Sequence, residues 1–145
     1  MMSSVVVLDS DTLSELSCAN ARVCARAAEY LAEHGSLTIT AISVFERLRG
    51  YREAIRNGKP FEEHLSRFQA LVATCRVLPV DEVVADHAAA LWAALSKRAR
   101  HALGDILIAA TASAFALPLV TRNRRDFFPM TQIEGVQLTL TDWSR

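Results

Sequence analysis

Short apolar segments with strand character alternate with longer segments of helical periodicity along this chain, and this alternation limits the possible folds most strongly. Residues 5–8 form a continuous, mostly β-branched run, which is typical of a strand buried on both faces. Parallel strands need crossover connections, and helices supply them. The sequence therefore predicts a three-layer α/β/α fold with a central, mostly parallel sheet of four to five strands.

The remaining elements follow from the same periodicity and from turn residues. Strands are predicted at residues 5–8, 37–40, 76–80 and 118–121, with a fifth at 136–140. Helices are predicted at about 12–16, 20–33, 43–57, 60–72, 81–95 and 105–116. Asp11 or Thr12 is expected to cap the first helix and Ser43 the third.

Length and composition exclude several classes of protein. At 145 residues, the chain is predicted to be a single domain spanning residues 1–145. A formal net charge of zero argues against electrostatic binding of nucleic acid by the whole surface, so any such binding must use local basic patches. Three cysteines without CxxC spacing indicate neither a disulfide framework nor structural zinc. No leader or membrane-length apolar run is evident, so we expect a cytoplasmic protein.

Acidic residues follow the predicted strand ends. Asp9 and Asp11 come directly after the first strand, and Glu46 lies about one turn into the helix after the second. Asp105 opens a strongly apolar helix. Ligands of open α/β sheets bind outside the carboxyl ends of the strands. We therefore expect these acids, together with residues 121–123, to meet at one rim.

Each acid alone is more often a helix cap or a solvated residue than a functional group. Together they are harder to explain, because carboxylates on apolar elements are costly unless they are paired or bound to a metal. Clustered carboxylates also repel and raise one another's pKa values. A divalent cation removes that repulsion, and oxygen-only ligands favour Mg²⁺ or Mn²⁺ over zinc.

Four segments resemble the motifs of PIN-domain proteins, specifically the VapC-like toxin ribonucleases of toxin–antitoxin pairs. LDSDTLSEL at residues 8–16 resembles LDTNxLSEL, and ISVFERLRG at 42–50 resembles the second motif, a glutamate followed by a small residue. GDILIAATA at 104–112 resembles GxxDxLIAAxA, LVTRNRRDF at 119–127 is similar to LVTxNxxDF, and residues 135–143 match the closing strand and Asp-Trp. Asp11 stands where Asn is commoner. Gly104 directly precedes Asp105, which predicts a shorter or displaced loop before the third motif.

The resemblance implies a Mg²⁺- or Mn²⁺-dependent endoribonuclease that acts as a toxin. Its implied catalytic acids are Asp9, Glu46, Asp105 and Asp126, with Asp9 and Asp105 as the direct metal ligands. Its implied supporting residues are Ser10, Asp11, Thr121 and Asn123. Whether Asn123 or Asp126 completes the acidic set stays open, with Asp126 preferred for its charge. The implied partners are RNA, a cognate antitoxin protein, and a second copy of the chain in a homodimer or a toxin–antitoxin hetero-oligomer, without a membrane.

Basic residues adjoin the proposed acids in sequence, and such clusters are either solvated faces or contacts to substrate phosphates. The candidates for RNA binding are Arg47, Arg49, Arg100, Arg122 and Arg124.

Two other functions compete with the nuclease. Asp9 to Thr12 also fits the DxDxT opening of haloacid-dehalogenase-like phosphatases, in which the first Asp is a nucleophile. That family expects a Ser/Thr strand, then a Lys, then a final acidic motif. Here Asp105 precedes the Thr121 strand, and no lysine follows Lys97. The second alternative is a non-catalytic binding module with a PIN fold, against which the complete acidic set argues.

Overall fold

A computed structural model describes residues 4–100 and 102–145 of the protein. The strands are β1 (Val7–Leu8), β2 (Thr38–Thr40), β3 (Arg76–Leu78), β4 (Leu119–Val120) and β5 (Leu140–Thr141). The helices are α1 (Ser10–Ser17), α2 (Ala21–His34), α3 (Ala41–Arg56), α4 (Glu62–Thr74), α5 (Glu82–Ala94), α6 (Leu103–Ala114) and α7 (Arg124–Thr131), with a 3₁₀ turn at Lys97–Arg100.

Every strand pair is parallel, as predicted. β1 pairs with β4, β4 with β5, and β2 with β3. The hydrogen-bonded ladders divide the strands into a three-stranded group, β1-β4-β5, and a two-stranded group, β2-β3. β2 also contacts β1, which gives the spatial order 3-2-1-4-5. The order reverses at β1, so the carboxyl ends of β1 and β4 mark the switch point where ligands of such sheets bind.

Helices cover the sheet on both faces. Successive strand residues point to opposite faces, and two buried clusters follow that alternation. Val7 and Leu119 belong to a cluster with residues of α5, α6 and α7. Leu8 and Val120 belong to a second cluster with residues of α1 and α2. The predicted three-layer α/β/α arrangement is therefore confirmed.

The helix caps differ from the predicted ones because the strand ends supply them. Asp9 caps α1, its carboxylate accepting a hydrogen bond from the Thr12 N–H, where Asp11 or Thr12 was the predicted cap. Thr40 caps α3 in place of Ser43, since that helix begins directly after β2. Asp9 follows β1 directly and Thr40 ends β2, so the polar side chain of each cap lies at the rim.

The strands β1 to β4 are one or two residues shorter than predicted, and three other differences concern α6, α7 and β5. α6 begins at Leu103, so Gly104 lies inside the helix and not in a preceding loop. α7 was not among the predicted helices, because it is short and polar and contains Pro129. The fifth strand pairs only at Leu140–Thr141 and not along residues 136–140. Across residues 4–100 and 102–145, no helix has both the length and the apolar character needed to cross a bilayer.

Candidate active site

The carboxyl ends of β1 and β4 carry the first part of the site. The Asp9 N–H donates to the Val120 carbonyl at 3.0 Å, which continues the β1–β4 ladder past its last paired residues. The Thr12 hydroxyl donates to the same carbonyl at 3.1 Å. These contacts hold Asp9 beside Thr121, the residue that follows β4. The structure thus brings two predicted site residues, 112 positions apart, to one rim.

Asp9 is almost completely buried, with 2% of its surface exposed. Its Oδ1 accepts the Thr12 N–H at 2.8 Å, and the Thr121 hydroxyl is a second hydrogen-bond partner. Burial raises the pKa of Asp9 from 3.8 to about 6, although both hydrogen bonds act in the opposite direction. The carboxylate is therefore held in one place but is costly to ionise in the metal-free protein.

Asp105, in the first turn of α6, lies among the other acids. Its pKa is raised to about 6, first by burial and then by nearby negative charges. Those charges, in decreasing order of effect, belong to Asp126, Glu46, Asp11 and Asp9. Segments far apart in sequence therefore converge on Asp105.

Glu46 is held by a chain of hydroxyl groups. The Ser10 hydroxyl donates to Glu46 Oε1 at 2.7 Å and lies 3.0 Å from Ser43 Oγ. Ser43 Oγ lies 3.3 Å from the Thr40 hydroxyl at the end of β2. An orienting role was predicted for Ser10, whereas the roles of Ser43 and Thr40 in this chain were not predicted. The position of Thr40 at a strand end, like that of Asp9, is the signal by which it could have been found.

Asn123 and Asp126 belong to one hydrogen-bonded unit. The Asn123 side-chain amide donates to Asp126 Oδ2 at 2.8 Å, and the Asn123 N–H donates to Thr121 Oγ1 at 2.9 Å. Thr121 in turn bonds Asp9. The two candidates for the last acidic position are thus linked, with Asn123 placed to orient Asp126.

Arg47, a predicted RNA contact, packs between helices and also lines a cleft with Glu46. Its guanidinium donates to Ser14 Oγ (2.7 Å), Ser17 Oγ (3.1 Å) and Tyr51 Oη (2.7 Å). It also lies over the rings of Tyr51 and Phe68. These contacts tie α1 to α3 and α4 and give Arg47 a packing role, while its contact to RNA stays a prediction.

The other predicted RNA contacts lie nearer the surface. Arg122 forms an ion pair with Glu15, and its side chain remains 53% exposed. Arg49 lies over Phe45, Arg100 over Trp92, and Arg124 is exposed.

Two clefts open at the rim. Arg122 shares one cleft with Asp11 and Asn123. Lys59, one of the basic residues that follow Glu46 in sequence, lines a second cleft with Glu46 and Arg47. Both clefts thus combine a cation with residues of the acidic rim.

The donor set suits a hard divalent cation, since it consists of carboxylate, hydroxyl and amide oxygens. Even so, within residues 4–100 and 102–145 no three His, Cys, Asp or Glu side chains are grouped closely enough to hold a metal ion. Because like charges repel, the acids lie near Asp105 without coming close enough together to form a coordination site. The chemistry of these donors fits a metal ion, although the described side chains are not arranged as a complete coordination sphere.

The raised pKa of Asp9 predicts a specific dependence of stability on pH. A carboxyl group whose pKa is 3.8 unfolded and about 6 folded removes about 3 kcal/mol of stability as the pH rises from about 4 to about 6. Asn can replace Asp as an N-cap. We therefore expect Asp9→Asn to increase the metal-free free energy of unfolding near neutral pH by on the order of 2–3 kcal/mol.

Urea unfolding at several pH values measures this effect. The gain from Asp9→Asn should disappear below about pH 4, where the carboxyl is protonated in both states. Asp86→Asn removes an exposed carboxylate on α5 and serves as the control. An equal gain at all pH values would show that ionisation of Asp9 is not its cause.

Comparisons with known proteins agree with the predicted fold. Residues 6–131 match the sequence profile of the PIN domain. The chain is similar to one in the VapBC-1 structure from nontypeable Haemophilus influenzae, with a TM-score of 0.79, 21% identity, and coverage of 98% of this chain and 100% of that one. It is also similar to a chain of FitAcB from Neisseria gonorrhoeae, with a TM-score of 0.75, 26% identity, and coverage of 95% and 97%.

A third similar chain belongs to the DNA-bound VapBC structure from Salmonella typhimurium, with a TM-score of 0.77, 21% identity and 99% coverage of both chains. A search of curated proteins gave no significant match. The motif resemblance found in the sequence and the PIN-like α/β fold are thereby confirmed.

Proposed function

Because the chain belongs to the PIN-domain family, we propose that it is a metal-dependent endoribonuclease and the toxin of a toxin–antitoxin pair. The observation that carries this proposal is the convergence of four further carboxylates on Asp105 at the switch point of the sheet. Asp9 and Asp105, whose pKa values are raised by burial and by neighbouring negative charges, have the perturbed ionisation that is characteristic of functional sites.

Hydrolysis of a phosphodiester requires neutralisation of the scissile phosphate and an activated water. Mg²⁺ or Mn²⁺ supplies both when it is bound. Asp9 and Asp105 would hold the ion, because each presents a carboxylate at the centre of the acidic rim. Glu46 and Asp126 flank them. Held by Ser10 and by Asn123, these two carboxylates orient the attacking water and accept its proton.

Substrate binding depends on local cations, since the whole chain has no net charge. Arg122 lines a cleft with Asp11 and Asn123, and Lys59 lines another with Glu46. They are placed to contact phosphates on either side of the scissile bond. The preference for RNA over DNA follows from the family resemblance.

The proposed partner is an antitoxin protein. The similar structures named above are VapBC and FitAcB structures, and one of them is DNA-bound. For this chain we propose the same type of partner, within a homodimer or a toxin–antitoxin hetero-oligomer. Expression of the chain alone should arrest bacterial growth, and co-expression with its antitoxin should relieve the arrest. Equal arrest by the Asp9→Asn chain would argue against nuclease-dependent toxicity.

Cleavage of RNA by the purified protein tests the activity. With Mg²⁺ or Mn²⁺ the protein should cut RNA, and EDTA should abolish cutting. Phosphate release from small phosphomonoesters without RNA cleavage would instead favour the phosphatase alternative. Binding of RNA without any hydrolysis would favour a non-catalytic module.

Asp126 and Asn123 should differ in the size of their effects. Removing a charge from a phosphoryl-transfer site generally costs more than removing a neutral amide. Asp126→Asn should therefore slow cleavage at least about tenfold, on the order of 1.4 kcal/mol, with RNA binding retained. Asn123→Ala should have a smaller effect because Asn123 acts through Asp126. Single-turnover rates measure both, and a fully active Asp126→Asn beside a crippled Asn123→Ala would reverse the assignment.

A further inference from the structure

Gly104 leaves a space that the Glu46 carboxylate occupies. A β-carbon built on Gly104 would lie 2.6 Å from Glu46 Oε2 and 3.3 Å from its carboxyl carbon. Real β-carbons essentially never approach another heavy atom within 3.0 Å. The carboxylate therefore stands where any other residue at position 104 would place its side chain.

The backbone does not require a glycine at this position. The glycines with positive φ in the described part of the chain are Gly35, Gly58 and Gly135. Gly104 lies in the first turn of α6, where alanine is the more favourable residue. The structure therefore explains the glycine at position 104 by the space that the Glu46 carboxylate occupies.

The two oxygens of Glu46 have different neighbours. Ser10 donates a hydrogen bond to Oε1 at 2.7 Å, while Oε2 lies against Gly104. Asp105 is the next residue along the chain, and the Glu46 charge contributes to its raised pKa. The missing side chain at position 104 thus allows two acids from different helices to approach each other.

We infer that Gly104 is a positioning residue, which admits the Glu46 carboxylate to the acidic rim beside Asp105. Its consequence for cleavage depends on the proposed nuclease function, whereas the steric relation to Glu46 does not. The obstructed group is the end of a flexible side chain. A methyl group at position 104 therefore moves Glu46 away from Ser10 and does not unfold the protein.

Gly104→Ala tests the inference, with Gly50→Ala as a matched control. Gly50 lies within helix α3, and a β-carbon there would have no heavy atom within 4 Å. Gly50→Ala should raise the melting temperature by about 2–4 °C, from the helix preference of alanine over glycine. Gly104→Ala should remain folded, with a melting temperature no lower than about 2 °C below that of the parent. A crystal structure of metal-free Gly104→Ala should show the hydrogen bond between Ser10 and Glu46 broken.

Mn²⁺ titration followed by melting temperature provides a readout that does not need cleavage. The Mn²⁺ concentration for half-maximal stabilisation should rise at least about fivefold in Gly104→Ala and stay unchanged in Gly50→Ala. In a Glu46→Asp background, where the shorter side chain retreats from position 104, Gly104→Ala should change it less than about twofold.

Two results would overturn the inference: an intact Ser10–Glu46 hydrogen bond in the Gly104→Ala crystal structure, or equal weakening of Mn²⁺ binding in both backgrounds. A parent protein that neither binds Mn²⁺ nor cuts RNA would contradict the proposed function instead. The comparison of crystal structures would then still decide the role of Gly104.

Discussion

Asp105→Asn should lower the rate of RNA cleavage at least about 10³-fold, on the order of 4 kcal/mol of activation free energy. Four other carboxylates act on Asp105 through their charges, which makes it the centre of the acidic set. Asparagine keeps the size of the side chain but removes its charge, so the affinity for a divalent cation falls together with the rate. Mg²⁺-dependent cleavage of a labelled RNA measures the loss.

The same substitution should stabilise the metal-free protein near neutral pH. The pKa of Asp105 is about 6 in the folded state and 3.8 in the unfolded state. Ionisation of Asp105 therefore lowers the free energy of unfolding as the pH rises from about 4 to about 6, and the loss persists at higher pH. The asparagine side chain cannot ionise, so the melting temperature should rise near neutral pH and match that of the parent near pH 4. A variant that loses activity because it unfolds would contradict this interpretation.

Glu46→Gln should reduce cleavage at least about 300-fold, on the order of 3.4 kcal/mol. The glutamine side-chain oxygen can still accept the Ser10 hydrogen bond that Glu46 Oε1 accepts at 2.7 Å. The side chain therefore stays in place, and what is lost is the charge and the ability to take a proton from water. Ser10→Ala removes only the orienting hydroxyl and should cost less, about five- to tenfold.

Glu53→Gln is the control for Glu46→Gln, because Glu53 is an exposed glutamate on the same helix. It should cleave RNA at the rate of the parent. Single-turnover kinetics with saturating metal separates the chemical step from weakened metal binding. Parent-like cleavage by Glu46→Gln would remove Glu46 from the catalytic acids and leave it as a structural ligand of Ser10.

The elements that were predicted correctly are those whose signal is local. The short, mostly β-branched apolar run before Asp9 indicates a buried strand, and the direction of a buried strand fixes which end of the sheet its following carboxylate occupies. Asn20 and Gly35 bound α2 by a side-chain cap and a left-handed residue, which the sequence displays directly. The residues at the rim could be predicted because the direction of each strand determines which residues lie at its carboxyl end.

The features that were missed depend on where side chains point. Arg47 follows Glu46 in sequence, but on a helix adjacent residues diverge by about 100°. Arg47 therefore donates to Ser14 and Tyr51, and this packing role was not predicted from its place beside Glu46 in sequence. The space at Gly104 exists only because α3 and α6 pack together, and no local pattern reports it. Likewise, α7 is held by Phe127 and Met130 in the core, which outweighs its weak helical sequence.

The pairing of β1 with β4 has a consequence for the time at which the site can form. The Thr12 hydroxyl meets the Val120 carbonyl across 108 residues of sequence. Contacts this distant form late, because a long loop must close before they can be made. A chain emerging from the ribosome holds Asp9 and Glu46 long before β4 and Asp126 have been synthesised. The proposed nuclease therefore lacks its complete site until most of its own chain has been translated, so the topology delays the formation of the site during synthesis.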